Sequence, residues 1–121
     1  MIILSANPPY AGWLVDGVKK VEWWRRRLPD GLALIYETKS GGGSGKVIGE
    51  AVICGFDRVC PDEASERLIS AGRAPREYLM KYSCGEPLYA NHVENGRRYE
   101  DPKSLEEFGL SRPPQSWRHV R

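Results

Sequence analysis

A chain of 121 residues, 40% hydrophobic and 28% charged, falls within the size of one domain, about 100 to 200 residues, and its four Trp and six Tyr can fill a single core. This composition argues against disorder over most of the chain, and no apolar stretch reaches the roughly 20 residues that span a bilayer. A formal charge of +2 is too small to mark a nucleic-acid binder by net charge alone. Three cysteines are an odd number, and the apolar run Met1 to Ala6 is too short for a secretory signal, so a reducing, cytoplasmic setting is expected.

In chain order, Ile2 to Ser5 reads as a short buried strand. Asn7-Pro8-Pro9 is a helix start, Tyr10, Trp13 and Leu14 recur at helical spacing, and Gly17 closes the helix. Lys20 to Trp24 alternates charged and apolar residues as a strand does, and Leu28-Pro29-Asp30-Gly31 is a turn. On a regular strand Trp23 and Trp24 face opposite sides, one to the core and one to a cleft or solvent. Continued alternation sends Arg25 and Arg27 one way and Arg26 the other.

Leu32 to Thr38 and Lys46 to about Phe56 read as a hairpin joined by the Gly/Ser loop Ser40 to Gly45. That loop lacks the Gly-Lys-Ser/Thr ending of a phosphate cradle. Pro61, with Asp62 and Glu63 in the first turn, opens a helix through Ala64, Leu68, Ile69 and Ala71 to Gly72, and Pro75 opens another through Tyr82. Leu88 to Val93 suggests a strand, Asn95-Gly96 a turn, and Arg97 to Glu100 a returning partner. Ser104 and Glu107 form a capping-box pattern before Gly109, and Gln115 to Val120 reads as a closing strand. Five or six strands with short helices between them make an α+β barrel, as a single domain over residues 1–121.

The small net charge conceals clustering. Lys19, Lys20, Arg25, Arg26 and Arg27 fall within nine residues, and Arg112, Arg118 and Arg121 crowd the C-terminus. Lys19 and Glu22 form either a solvated ion pair or a proton-transfer pair in a cleft, where burial lowers the lysine pKa and the carboxylate orients it. Glu50 interrupts the apolar face of Ile48 and Val52, so it needs a cationic partner or a place in the cleft, where it would be a second acid near Lys19. Cys54, Cys60, Cys84 and His92 offer four zinc ligands but no paired Cys-x-x-Cys spacing, and Cys54 reads as a small hydrophobe in its strand. No metal and no cofactor are expected, and His119 reads as a surface residue.

The helix Tyr10 to Asp16, the element Gly17-x-Lys19-x-x-Glu22 followed by arginines, the run Val47-Ile48-Gly49-Glu50 and the tail Arg112-Pro113-Pro114-Gln115-Ser116-Trp117-Arg118 cover nearly the whole chain. In this order they resemble the ASCH domains of the PUA-like superfamily. The resemblance implies a small PUA-like β-barrel with a cleft between barrel and helices, and a function concerned with RNA, nucleotides or modified bases. In relatives that hydrolyse acetylated cytidine, a lysine stands two residues after the glycine and a threonine five after it. Lys19 keeps the first position, whereas Glu22 holds the second, so the hydroxyl nucleophile is absent. The arginine of that family, two residues further, is Trp24 in this chain, and the arginines begin at Arg25.

The expected function is therefore an RNA- or nucleotide-binding module with a regulatory role, using Lys19, Lys20, Glu22, Trp24, Arg25, Arg26 and Arg27. One alternative is a small hydrolase acting on an acylated nucleoside or on RNA through Lys19 with Glu22 or Glu50. Another is a protein-interaction module whose basic face docks an acidic partner. The expected ligands are RNA, single-stranded nucleic acid or a nucleotide, with no membrane partner. The sequence leaves the oligomeric state open.

Overall fold

In a computed structural model that describes residues 1–120, the apolar alternation of the chain becomes one six-stranded mixed sheet. Arg121 lies outside the described residues. Strands β1 (Ile2–Ala6), β2 (Val21–Trp24), β3 (Gly31–Glu37), β4 (Lys46–Val59), β5 (Leu88–Lys103) and β6 (Trp117–His119) lie in the order β2-β5-β4-β3-β1-β6. β1 and β3 run parallel, and the other neighbours antiparallel. Three short helices, α1 (Tyr10–Val15), α2 (Glu66–Gly72) and α3 (Arg76–Ser83), and one 3-10 turn (Leu105–Phe108) complete an α+β half-barrel. Its edges, β2 and β6, do not pair with each other, so the barrel expected from the sequence stays open along one side.

Strands of 14 and 16 residues, such as β4 and β5, must bend to wrap a core, and their ladder is broken by register shifts that allow it. Val52 opposes Glu94 while Glu50 opposes Arg97, so β5 carries one extra residue around Asn95-Gly96. This corrects the hairpin expected there. Asn95 does take a left-handed backbone (φ 53°), but within one continuous strand, and Arg97 to Glu100 extend β5 instead of returning along it. Gly96 is needed for space: a Cβ there would stand 2.4 Å from the Leu14 carbonyl oxygen, because the end of α1 rests on the bulge.

α1 packs Ala11, Leu14 and Val15 onto one face of the sheet, against Ile2, Leu4, Ile35, Ile48 and Ile53. Val52, which the sequence sets on one apolar face with Ile48, is half-buried, and so is Trp13 on α1. On the other face α2 and α3 cover Val21, Trp23, Leu88 and Ala90, and the 3-10 turn flanks Ile3, Leu34 and Tyr36. α2 starts five residues later than Pro61, where the sequence placed it. The Arg76 guanidinium holds the carbonyls of Pro61 and Ala64 at 2.5 and 2.8 Å, which keeps them in a turn. Ser65 then caps the helix by accepting from the Leu68 N–H at 3.1 Å.

Candidate functional site

The open side of the half-barrel is a cleft of about 660 Å³. β2 forms one wall, the Ser5–Asn7 end of β1 with Gln115 forms another, and the α2–α3 corner stands over both. The last carbonyls of a helix lack N–H partners within it, and the two residues just before β2 supply them. The Lys20 N–H donates to the Ala71 carbonyl at 2.9 Å, and the Lys19 ammonium donates to the Gly72 carbonyl. Lys19 is thereby fixed at the floor of the cleft with 4% of its surface exposed, 3.6 Å from the Glu22 carboxylate. Burial pushes the Lys19 pKa down, opposed by Glu22 and reinforced by Arg73. Burial likewise pushes the Glu22 carboxyl up, opposed by Lys19.

The alternation along β2 sorts the neighbouring indoles. Trp23 is 6% exposed in the core beneath α2 and α3, and Trp24 is half-buried in the cleft wall. Packing at the Trp23 indole is close: a Cβ on Gly72 would stand 2.4 Å from its Nε1, and that N–H has no acceptor among the described residues. The arginines do not continue the strand, which ends at Trp24, so the alternation expected of Arg25, Arg26 and Arg27 does not apply. Arg25 turns toward α3, with its guanidinium 4.5 Å from the Tyr82 ring centre and donating to the Tyr82 carbonyl at 2.7 Å. Arg27 lies 4.7 Å over Phe56 and 3.2 Å from Asp30, and Arg26 is exposed. Lys20 does not line the main cleft but borders a smaller pocket of about 450 Å³ with Cys54 and His92, which shares Lys19 with the cleft.

Several cleft residues gave no signal in the sequence. Arg73 follows Gly72 in a left-handed conformation (φ 53°) and stacks 4.6 Å over Trp13, which also meets Tyr10 edge-on. Tyr78 and Tyr82, one turn apart on α3, lie parallel within 6° with centres 6.4 Å apart. The sequence places a helix there from Pro75 through Tyr82, and only the placement of α3 over β2 turns that face into a cleft wall.

Other candidates fall elsewhere. Glu50 faces the side of the sheet opposite Glu22, pairing with Leu34 and accepting from the Tyr99 hydroxyl at 2.8 Å. Its partner is thus a phenol and not a cation, and it does not join Lys19. Burial and that hydrogen bond push the Tyr99 pKa up to about 12. Cys54 is exposed, contrary to its expected core role, because the bulged end of β4 turns it outward beside the His92 carbonyl at 3.5 Å. Partial burial and the nearby Glu94 raise its thiol pKa. Cys60 lies with Asp62 and Glu63, not with Cys54, Cys84 and His92, while His92 pairs with Asp57 at 2.7 Å. His119 is exposed against the edge of Trp117.

The fold and this cleft define a class of small α+β half-barrels with helices standing over the open edge of the sheet. Among solved structures the chain is similar to ASCH from Zymomonas mobilis, at 24% identity over 99% of this chain and 87% of that one, with a TM-score of 0.83. A serine-to-alanine variant of that protein matches at 22% identity over 99% and 87% of the chains, with a TM-score of 0.82. A tyrosine-to-phenylalanine variant matches at 23% over 99% and 89%, also with a TM-score of 0.82. No family model matches the sequence, and no curated protein matches it significantly. The chain has the ASCH fold, as its resemblance in sequence implied.

Proposed function

We propose that the chain is an ASCH-type module that binds RNA or a nucleotide in the cleft beside Lys19. The observation that carries this reading is the lining: Trp24, Tyr78 and Tyr82 present aromatic faces, and Arg73 presents a guanidinium without a carboxylate partner among the described residues. A base stacked on such rings gains about 1 to 3 kcal/mol, and a guanidinium takes a phosphate by charge-assisted hydrogen bonds. Lys19 and Glu22 offer a donor and an acceptor side by side, which suits the polar edge of a base. Titration with uridine 5′-monophosphate, followed through tryptophan fluorescence, tests the reading. Binding should saturate and be lost in Tyr78→Ala combined with Arg73→Ala. Absence of saturable quenching by nucleotide and RNA alike would refute it.

The Lys19–Glu22 pair favours a second reading, a small hydrolase acting on an acylated nucleoside. Burial lowers the ammonium and raises the carboxyl, which brings the two groups closer in proton affinity than they are in water, 3.6 Å apart at the floor of a cleft. With Glu22 in place of a hydroxyl, water must be the nucleophile: Glu22 takes its proton as the oxygen bonds to the acyl carbon, and the Lys19 ammonium polarises the acyl carbonyl. As the bond from that carbon to N4 breaks, the proton passes from Glu22 to the departing amine, leaving acetate and cytidine. Release of acetate from N4-acetylcytidine that vanishes in Lys19→Ala would establish this activity. Release that survives the substitution would exclude this pair as the centre.

A further inference from the structure

Beyond the cleft, a run of arginines laid on aromatic rings continues along the same face of the sheet. Trp24, in the cleft wall, stands opposite Tyr89 on β5, and Tyr89 stands opposite Arg58 on β4. Paired residues of adjacent strands point the same way, so this row leads out of the cleft across two strand spacings, about 10 Å. The Arg58 guanidinium lies 5.9 Å from the Tyr89 ring centre, Tyr89 meets Phe56 at 5.3 Å, and Arg27 covers Phe56 at 4.7 Å. Arg25 on Tyr82 joins the row to the cleft from the α3 side. Phe56 is 38% exposed for a large apolar side chain, and Arg25 and Arg58 have no carboxylate partner among the described residues. Two acids beside the row are engaged, Asp30 by Arg27 and Asp57 by His92.

We propose that this ladder of Arg25, Arg27, Phe56, Arg58 and Tyr89 is a track for single-stranded RNA, so that the ligand of the cleft is one nucleotide of a longer strand and not a free nucleotide. The inference rests on the nucleotide reading of the cleft and adds to it the polymer. Its physical basis is that rings and guanidinium planes both stack on bases regardless of sequence, while unpaired arginines release counterions from phosphates. Stacking each guanidinium on a ring holds the side chain extended before the strand arrives, so less freedom is lost on binding. An acidic protein would use the same charges but leave the exposed Phe56 face without a flat partner.

The test compares uridine 5′-monophosphate with oligouridylates of two, four and six nucleotides on the intact chain. Affinity should rise at least tenfold from the monophosphate to the tetramer. In Phe56→Ala combined with Arg58→Ala the monophosphate should bind as before, while the tetramer gain falls below threefold. The slope of log affinity against log salt should fall by about 0.7 for each phosphate that the variant no longer neutralises. Arg58→Ala alone, at an exposed position, keeps the test valid if the Phe56 change disturbs folding. Affinity independent of length, or a length gain untouched in both variants, would overturn the track while leaving the cleft reading intact. A hexaglutamate peptide binding as tightly as the hexanucleotide would overturn it in favour of an acidic protein partner. Failure of every nucleotide to bind would remove the cleft reading, and the track with it.

Discussion

Two buried places in this molecule are built in opposite ways. Under α1 the interior is apolar and filled: Leu14 is 1% exposed, and Gly49 and Gly96 have no room for a Cβ, the first against the Arg97 carbonyl and Val15 and the second against the end of the helix. At the floor of the cleft a lysine with 4% exposure faces a carboxylate across 3.6 Å, beside about 660 Å³ of open space. The first place is where burial of apolar surface stabilises the fold. The second holds charges whose desolvation opposes folding, held in place by each other and by the Gly72 carbonyl that Lys19 caps. Stability and binding should therefore separate by position, and the substitutions below are chosen to break that separation if it is false.

The largest effect belongs to the filled side. Leu14→Ala removes a side chain fully enclosed by Ile35, Ile53 and their neighbours and should cost about 2 to 5 kcal/mol in denaturant unfolding. The fraction that remains folded should bind ligand unchanged. A near-neutral stability would mean that α1 does not seal the core, and altered affinity would mean that the two places are not independent.

Next comes the charged floor. Lys19→Met leaves Glu22 without its cation and should cost about 3 kcal/mol near neutral pH, and adding Glu22→Gln should restore most of the loss. The pH dependence carries a sign. Because the Glu22 carboxyl is raised above its ordinary 4.5, the folded chain holds a proton that the unfolded chain releases, so wild-type stability falls as pH rises through the window just above that value. Because Lys19 is lowered below 10.5, stability rises with pH in the window just below that value. Urea midpoints of the double variant should lose both slopes. A single variant as stable as wild type at every pH would show that water already solvates the pair.

How far the sequence reveals this division depends on whether the signal is local. Strand β1, the β3–β4 hairpin, the capping of the 3-10 turn by Glu107 on the Ser104 N–H, and the opposite facing of Trp23 and Trp24 all follow from neighbours in the chain, and all are found. Asn95-Gly96 misleads because the same backbone preference serves a hairpin turn and a bulge, and only pairing with a distant strand decides between them. Lys19 and Glu22 are close in sequence and meet. Glu50 was drawn to them by chemistry alone, and the parity of β4 puts it on the other face. Arg73 and Tyr78 could be found only by knowing that the α2–α3 corner comes to rest over β2.

A smaller effect tests the cleft wall. Tyr78 is 60% exposed, so Tyr78→Ala should change stability by no more than about 0.5 kcal/mol. If its ring carries a base, the same change should weaken nucleotide binding by about 1 to 3 kcal/mol. Calorimetric titration and thermal unfolding of one preparation measure both. A large loss of stability with intact binding would assign Tyr78 to the fold and return the wall to Trp24 and Tyr82.

The smallest effect lies at the seam between the two places. Asp16, just past α1, accepts from Nε and Nη2 of Arg98 on β5 at 2.8 and 2.9 Å, a two-pronged pairing with both side chains about half exposed. Solvent screening holds such a pair to about 1 kcal/mol or less, so Arg98→Ala should lower stability by no more than that. The hydrogen bonds from Arg98 hold the Asp16 carboxyl below its ordinary 3.8. The folded chain therefore releases that proton more readily, and the contribution is complete above 3.8 and is lost as pH falls through the depressed value. The gap between wild type and Arg98→Ala should accordingly be constant near neutrality, close as the pH is taken below 3.8, and shrink with added salt. A gap that persists in acid would make Arg98 a packing residue: a Cβ on Gly12 would stand 3.0 Å from its Nη2, so the guanidinium already lies against α1 and could brace the helix without its charge.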